Sequence, residues 1–504
     1  MKTGRVWLVG AGPGDPGLIT VRGLEVLTHA EVVLHDALAH PALLSVCPTA
    51  ELVNVGKRYG RLNPPQELIT EQLISLARAG KRVVRLKGGD PLLFARGGEE
   101  ALALAEAGIP FEIVPGISSP VAASTYAGIA LTHRELSSSV TFITGSDREG
   151  VEWSPESWKR LATATDTLCI LMGMRRIESI MQALIEGGRA GSTPCAVVHW
   201  GARPEQQVVM GTVSTIAERV REANVANPSV IVVGEVVRLR EKMRWFDNLP
   251  LFGRRILVPR AVEQAEATAR AIRVRGAEAI LAPLIEIHEP RAPELIEAAF
   301  VALASFDWLL FTSANGVEKF LTRLLSSGRD VRALGSLKIG VVGAKTAVSL
   351  RQFGLVADRI ADSFTGEELA RALLAQGGVQ RVLLPRARVA NEALPEMLRA
   401  SGIHVEVLPV YETEPVAADK LEWLESEFRA RRVDVVLLTS ASVVDSLVEA
   451  LGAQAHELLG HAALSAIGPV TLERAREHGL NVPIVAQLHT VEGLLDAVEA
   501  HFSA

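Results

Sequence analysis

Arg5-Val-Trp-Leu-Val-Gly-Ala-Gly-Pro-Gly-Asp-Pro-Gly17 decides the fold class of the first half of the chain. A short apolar run ends in glycines and leads into a stretch of helical composition, the strand, loop and helix order of an α/β protein. Similar runs recur at 31–34, 82–86 and 111–114, separated by Ala/Leu/Glu-rich stretches at 65–79 and 98–107. This alternation predicts largely parallel, buried strands. Gly12, Gly14 and Gly17 satisfy the G-x-G-x-x-G pattern of dinucleotide sites, but the pattern alone is weak. Pro13 and Pro16 remove two N–H donors, and Asp15 puts a carboxylate where a phosphate would sit, so no dinucleotide is expected. The competing reading is a tight turn with Asp15 capping a helix.

Composition bounds the rest. A chain of 504 residues holds about three compact units at roughly 150 residues each. The 58 acidic and 52 basic side chains give a net charge of −6 with no long run of either sign, which argues against a nucleic-acid partner. Cys47, Cys169 and Cys195 are isolated, so neither a disulfide framework nor a cysteine-based metal site is expected, and each reads as a small buried apolar residue. No stretch approaches the roughly 18 apolar residues of a membrane span, and the N-terminal apolar run is too short for a signal segment. No membrane partner is expected, and the cytoplasm is the expected location.

Three further strand ends carry chemistry. Lys87-Gly-Gly-Asp-Pro91 offers paired glycines and an acid, Val114-Pro-Gly-Ile-Ser-Ser119 offers hydroxyls before a helix, and Leu168-Cys-Ile-Leu-Met-Gly173 ends in Met172. Glycines let a ligand approach the backbone closely, and Asp90 can accept from donors or face a cation. Without a phosphate cradle, the set suits a neutral or cationic cofactor.

Lys87-Gly-Gly-Asp-Pro91 and Val114-Pro-Gly-Ile117, with Val9-Gly-Ala-Gly-Pro-Gly-Asp15, Gly56-Lys-Arg58, Arg96-Gly-Gly-Glu-Glu100 and Leu131-Thr-His-Arg134, resemble uroporphyrinogen-III C-methyltransferase of the tetrapyrrole methylase family over about 4–247. The resemblance implies two α/β subdomains, a homodimer, S-adenosyl-L-methionine as methyl donor, and uroporphyrinogen III methylated twice to precorrin-2, for siroheme or cobalamin. It places cofactor contacts on Pro13, Gly88, Gly89, Asp90, Leu93, Ser118, Ser119, Met172 and Gly201. It places proton-transfer roles on Asp36 and Lys57. A polycarboxylate acceptor calls for cations at the mouth of the site, with Arg22, Lys57, Arg58, Arg61, Arg96 and Arg134 as candidates. Three words depart from the family pattern. His35-Asp-Ala37 lacks the usual basic third residue, Gly89-Asp-Pro-Leu92 with Phe94-Ala-Arg96 replaces Gly-Asp-Pro-Phe with Phe-Gly-Arg, and His199-Trp-Gly-Ala202 replaces Glu-Asn-Gly-Thr. These departures bear on acceptor affinity more than on the cofactor pocket.

The run at 229–237 reads as a last buried strand, and the charged and aromatic stretch after it places a domain boundary near 250. The remainder repeats internally. Arg255-Ile-Leu-Val-Pro-Arg-Ala261 recurs as Arg381-Val-Leu-Leu-Pro-Arg-Ala387, and Phe306-Asp-Trp-Leu-Leu-Phe-Thr-Ser-Ala314 as Val433-Asp-Val-Val-Leu-Leu-Thr-Ser-Ala441, 126 and 127 residues apart. Two copies of one α/β unit predict a bilobal body, with 283–290 and 409–415 as linkers between lobes. Ser313, Thr346 and Thr365 in the first copy match Ser440, Thr471 and Thr490 in the second. Such hydroxyls either cap helices or bind substrate carboxylates at helix N-termini.

From 253 onward the chain resembles uroporphyrinogen-III synthase, through Pro259-Arg260, Thr312-Ser-Ala-Asn315, Pro385-Arg386, Val410-Tyr-Glu-Thr413, Thr439-Ser-Ala441 and Ile467-Gly-Pro-Val-Thr471. The resemblance implies cofactor-free cyclisation of hydroxymethylbilane, with Tyr411 assisting loss of the substrate hydroxyl. The expected domains are thus a methylase at 1–247, a linker at 248–252 and a synthase at 253–504, with lobes at 253–285 plus 412–504 and at 290–408. The implied product of the second half is the implied acceptor of the first. Two alternatives stay open: a methylase acting on a later corrin intermediate, and a methylase joined to a non-catalytic carboxylate-binding sensor.

Overall fold

The structure, a computed structural model, describes residues 3–37, 39–47, 49–56, 65–145, 153–259, 262–361, 365–416 and 421–503. They form two compact units, one of Met1–Ile256 with Arg270–Ala279 and Val498–Ala504, the other of Leu257–Ala269 and Ile280–Ala497.

The first sheet contains β1 (Arg5–Gly10), β2 (Val32–His35), β3 (Glu51–Asn54), β4 (Arg82–Lys87) and β5 (Phe111–Val114) in the order β3-β2-β4-β1-β5. Every pairing is parallel. Successive side chains of β1 alternate between faces: Val6 and Leu8 join a core with Leu73 and Leu104, and Val9 joins another with Leu27 and Leu43. Burial on both faces explains why β1 and β2 read as short apolar runs. The chain leaves β1 toward β2 and leaves its neighbour β4 toward β5, in opposite directions. A crevice therefore opens beyond their C-terminal ends.

The second sheet contains β6 (Val140–Thr144), β7 (Thr167–Leu171), β8 (Pro194–His199), β9 (Gln207–Thr212) and β10 (Ser229–Val233) in the order β6-β7-β10-β8-β9. Here the expectation of parallel strands is corrected. Only β6 and β7 run parallel, whereas β10 is antiparallel to β7 and β8, and β8 to β9. The segment 200–206 is too short for the crossover of a dozen or more residues that a parallel β8–β9 pair requires. The strand expected over 229–237 ends at Val233, because Gly234 turns the backbone at φ +150° into the 3₁₀ helix Glu235–Leu239. Cys47, Cys169 and Cys195 are all buried in these cores, and burial pushes the Cys169 thiol up to about 12.

The remaining strands are β11 (Arg255–Val258), β12 (Glu278–Leu281), β13 (Ile285–His288), β14 (Trp308–Phe311), β15 (Lys338–Val341), β16 (Arg359–Ile360), β17 (Arg381–Ala387), β18 (His404–Pro415), β19 (Val435–Leu438), β20 (Ala463–Ala466) and β21 (Ile484–Val485). They build two sheets, ordered β12-β11-β19-β20-β21 and β13-β18-β17-β14-β15-β16. The sequence repeat is visible strand for strand, since β11, β12, β19, β20 and β21 match β17, β18, β14, β15 and β16 in both order and chain position. The copies are crossed: the first strands of each sequence repeat pair with the last strands of the other. The proline-flanked stretches that link the sheets are paired strands, with Ile285–His288 antiparallel to the end of β18.

Candidate functional site

Three strand-end loops of the first sheet meet backbone to backbone. Gly12 N donates to Gly89 O (3.2 Å), and Gly89 N donates to Gly12 O (2.8 Å). A Cβ on Gly10 would lie 2.5 Å from Gly116 Cα, and one on Gly116 would lie 2.3 Å from Gly89 O. The glycines of this motif thus serve close packing of the loops after β1, β4 and β5. Asp15 Oδ1 accepts from Gly17 N (2.8 Å) and caps the 3₁₀ helix Pro16–Leu18, while Oδ2 accepts from the Tyr126 hydroxyl (2.8 Å). The capping reading holds for Asp15, and its carboxylate excludes a phosphate from that helix start.

Above this floor lies a cavity of about 300 Å³, within the usual size range of small-molecule sites. It is lined by Asp36 and by eight of the nine expected cofactor positions: Pro13, Gly88, Gly89, Leu93, Ser118, Ser119, Met172 and Gly201. Asp90 is the exception. Its carboxylate accepts from Leu92 N (2.8 Å), Leu93 N (3.2 Å) and Gly116 N (3.0 Å), so it ties two loops of the floor together. Asp90→Ala should destabilise the first unit by about 1–3 kcal/mol by leaving those three N–H groups without their acceptor, a loss that chemical denaturation reads; unchanged stability would mean that Asp90 does not tie the loops.

Phe94, Trp200 and Arg203 also line the cavity, and the sequence reading did not single them out as ligand contacts. Phe94 (φ +57°), Met172 (φ +56°) and Trp200 (φ +47°) are in the left-handed region, where a bulky side chain is strained. Such strain collects at functional walls. Arg203 stacks 4.7 Å from the Trp200 ring centroid and packs on Gly14, where a Cβ would come within 2.6 Å of its Cγ.

Asp36 Oδ1 accepts from Arg85 Nη2 (2.5 Å), and Oδ2 accepts from Gly88 N (3.2 Å). Arg85 and Lys87 continue into a buried ion network with Glu100. Burial foremost, then the Arg85 charge, holds the Lys87 ammonium below its ordinary range, against the pull of Glu100. Sequence could have flagged this network, because two bases spaced two apart on a strand share one face, and a buried face needs acids to answer them.

The expected acceptor cations do not line the cavity in the described residues. Arg22 pairs with Glu112 (2.9 Å) and Glu25 (3.0 Å), Arg96 pairs with Glu99 (2.5 Å), and Arg134 is exposed. Lys57, Arg58 and Arg61 lie outside the described residues.

In the second half, Ser313 caps the helix Ala314–Ser326 by accepting from Gly316 N (3.0 Å), and Ser440 caps Ala441–Leu451 by accepting from Val443 N (3.3 Å). Thr346 and Thr471 are buried in first helical turns. Capping uses the hydroxyl oxygen as acceptor and leaves its proton for a second partner. Ser313 Oγ also lies 3.2 Å from Tyr411 Oη, and either hydroxyl can donate across that contact. Tyr411 is itself buried, and the next residue, Glu412, holds Arg388 Nε (2.9 Å) and Arg291 N (3.0 Å).

A glycine-floored crevice at the switch point of a parallel sheet, followed by a crossed two-sheet repeat, defines a two-module α/β protein. Comparison with known proteins divides it in the same way. The family model of tetrapyrrole (corrin/porphyrin) methylases matches residues 5–217, and that of uroporphyrinogen-III synthase HemD matches 266–496. Porphyrin biosynthesis protein HemD of Ruminiclostridium josui is 37% identical over 498 residues, 98% of either chain. A uroporphyrinogen-III C-methyltransferase of Bacillus subtilis (strain 168) is 47% identical over 49% of this chain and 95% of its own. A crystal structure of uroporphyrin-III C-methyl transferase from Thermus thermophilus, complexed with S-adenyl homocysteine, is 38% identical over 47% of this chain and all of that one, with a TM-score of 0.41. The chain belongs to the porphyrin-biosynthesis proteins in which a tetrapyrrole methylase and a uroporphyrinogen-III synthase share one polypeptide.

Proposed function

We propose that residues 253–504 cyclise hydroxymethylbilane to uroporphyrinogen III without a cofactor, and that residues 1–247 methylate this product twice to precorrin-2 with S-adenosylmethionine. The observation that carries the proposal is the gathering of Asp36 and eight of the nine positions expected for cofactor contact around one cavity. The donor set suits the proposed cofactor: one carboxylate (Asp36) and one guanidinium (Arg203) in a glycine-rich wall complement a zwitterionic ligand that also carries a sulfonium. When bound, S-adenosylmethionine supplies an electrophilic methyl group and is left as a neutral thioether.

Rate then depends on what the chain positions. The walls exclude water and would hold the bound acceptor beside the cofactor. Asp36, fixed through both carboxylate oxygens, takes the proton that the macrocycle releases as its carbon is alkylated. Lys57 is proposed to share proton transfer with Asp36, and Arg58, with Arg22, Arg96 and Arg134, to bind the acceptor's carboxylates. Incubating the chain with uroporphyrinogen III and the cofactor should add two methyl groups by mass, and an unmodified acceptor would contradict the proposal. The methylase is proposed to form a homodimer in the cytoplasm, a state that light scattering of the purified chain measures.

In the synthase half, the buried Tyr411 hydroxyl assists departure of the substrate hydroxyl, oriented by Ser313. The hydroxyls of Ser313, Thr346, Ser440 and Thr471 are proposed to meet substrate carboxylates. Tyr411→Phe should slow ring closure about tenfold, the worth of one hydrogen bond in the transition state, while methylation of supplied uroporphyrinogen III stays intact. Equal closure rates would reduce Tyr411 to packing.

A further inference from the structure

Behind Asp36, four ionisable side chains form one line of contacts. Arg85 Nη2 reaches Asp36 (2.5 Å), Arg85 Nε donates to Glu100 Oε1 (3.2 Å), and Lys87 Nζ lies 3.1 and 3.0 Å from the two Glu100 oxygens. Gln66 Nε2 adds a bond to Glu100 Oε1 (2.8 Å). The charges alternate in sign and cancel. Side-chain exposure is 4% for Arg85, 0% for Glu100 and 2% for Lys87, against 29% for Asp36, the one member of the four that lines the cavity.

Stability alone does not account for this arrangement. Taking charges out of water is expensive, and an apolar set of similar volume would often hold the same strands and helix as well or better. What the network does supply is a single orientation. Arg85 Nη1 also donates to Leu34 O (3.3 Å) and Leu86 O (3.2 Å), so all three guanidinium nitrogens are engaged and the fork cannot turn. A lysine at 85 would keep the charge but not the fork.

We infer that Arg85 and Glu100 are positioning residues for methyl transfer. Glu100 clamps the guanidinium, and the clamped guanidinium presents the Asp36 carboxylate to the cavity at a fixed angle; neither residue touches substrate. This rests on the proton-accepting role proposed for Asp36.

The test compares Arg85→Lys, Glu100→Gln and Asp36→Asn in the full chain, measuring kcat and KM for methylation of uroporphyrinogen III and S-adenosylhomocysteine affinity by calorimetry. Misplacing a reacting group by about 1 Å can slow a reaction about 100-fold, so Arg85→Lys should lose about that much in kcat, with KM and cofactor-product affinity within about twofold of wild type. A purely structural role would lower affinity and kcat together, and that result would overturn the inference. Glu100→Gln leaves two buried cations face to face; if it does not fold, Arg85→Lys, which keeps the charge balance, decides. If Asp36→Asn is slow but Arg85→Lys turns over like wild type, the positioning inference fails while the role of Asp36 stands. If Asp36→Asn itself keeps the wild-type rate, both fall.

Discussion

Asp36→Asn is expected to lower methyl transfer to uroporphyrinogen III about 1000-fold, within the range typical of a lost general base. The side chain keeps its size, and its carbonyl can still accept from Arg85, so the cavity wall should survive. Affinity for S-adenosylhomocysteine should therefore change little, because the rest of the wall comes from Gly88, Gly89, Ser118, Met172 and Gly201. The pairing of lost turnover with retained binding separates a proton acceptor from a wall residue. Single-turnover methylation under anaerobic conditions measures the first, and calorimetry the second. A rate within a few fold of wild type would remove Asp36 from the chemistry.

Gly10→Ala should abolish cofactor binding altogether. The added methyl group would meet Gly116 Cα at 2.5 Å and Gly116 N and Gly89 O at 2.6 Å, all backbone atoms that cannot swing aside as a flexible side chain can. Relief requires β1 to part from β5 or from the β4 loop, which also breaks the Gly12–Gly89 bonds. Forced overpacking of this kind destabilises by about 1–3 kcal/mol, and the upper end applies where backbone meets backbone. Chemical denaturation should show the loss. Ring closure of hydroxymethylbilane should persist, since the glycine floor lies wholly in the first unit. Normal cofactor affinity in Gly10→Ala would mean that the three loops do not meet as described.

The first sheet was legible because β1, β2 and β4 are largely buried, so apolar residues dominate them, although Arg85 interrupts β4 and Glu112 interrupts β5. Strand direction was not legible in the second sheet. Cys195-Ala-Val-Val198 and Val230-Ile-Val-Val233 look alike whether they run parallel or antiparallel, and only the length of the connections distinguishes the two. The prolines and Asp15 in the glycine loop were enough to exclude a phosphate, but nothing local announced that Gly10 and Gly116 touch across more than a hundred residues. Asp90 was legible as important and not as a loop tie, since one acid can face a ligand or three amides equally well in sequence. For Arg85, Lys87 and Glu100, the two bases spaced two apart on β4 were the available signal, but nothing in the sequence names Glu100, on a separate helix, as the acid that answers them. The hydroxyl words of the second half were found through the repeat, and their capping, one of the two readings open in sequence, was decided at Ser313 and Ser440 once the helices were in place.

The central claim is that one chain both makes uroporphyrinogen III and methylates it. The most direct measurement is anaerobic incubation of the purified chain with hydroxymethylbilane, with and without S-adenosylmethionine, following isomer identity by chromatography and methyl incorporation by mass. Uroporphyrinogen III alone without the cofactor, and a doubly methylated product with it, are the predicted results. Formation of only isomer I, the product of spontaneous closure, or of isomer III that gains no methyl group when the cofactor is present, would contradict the claim.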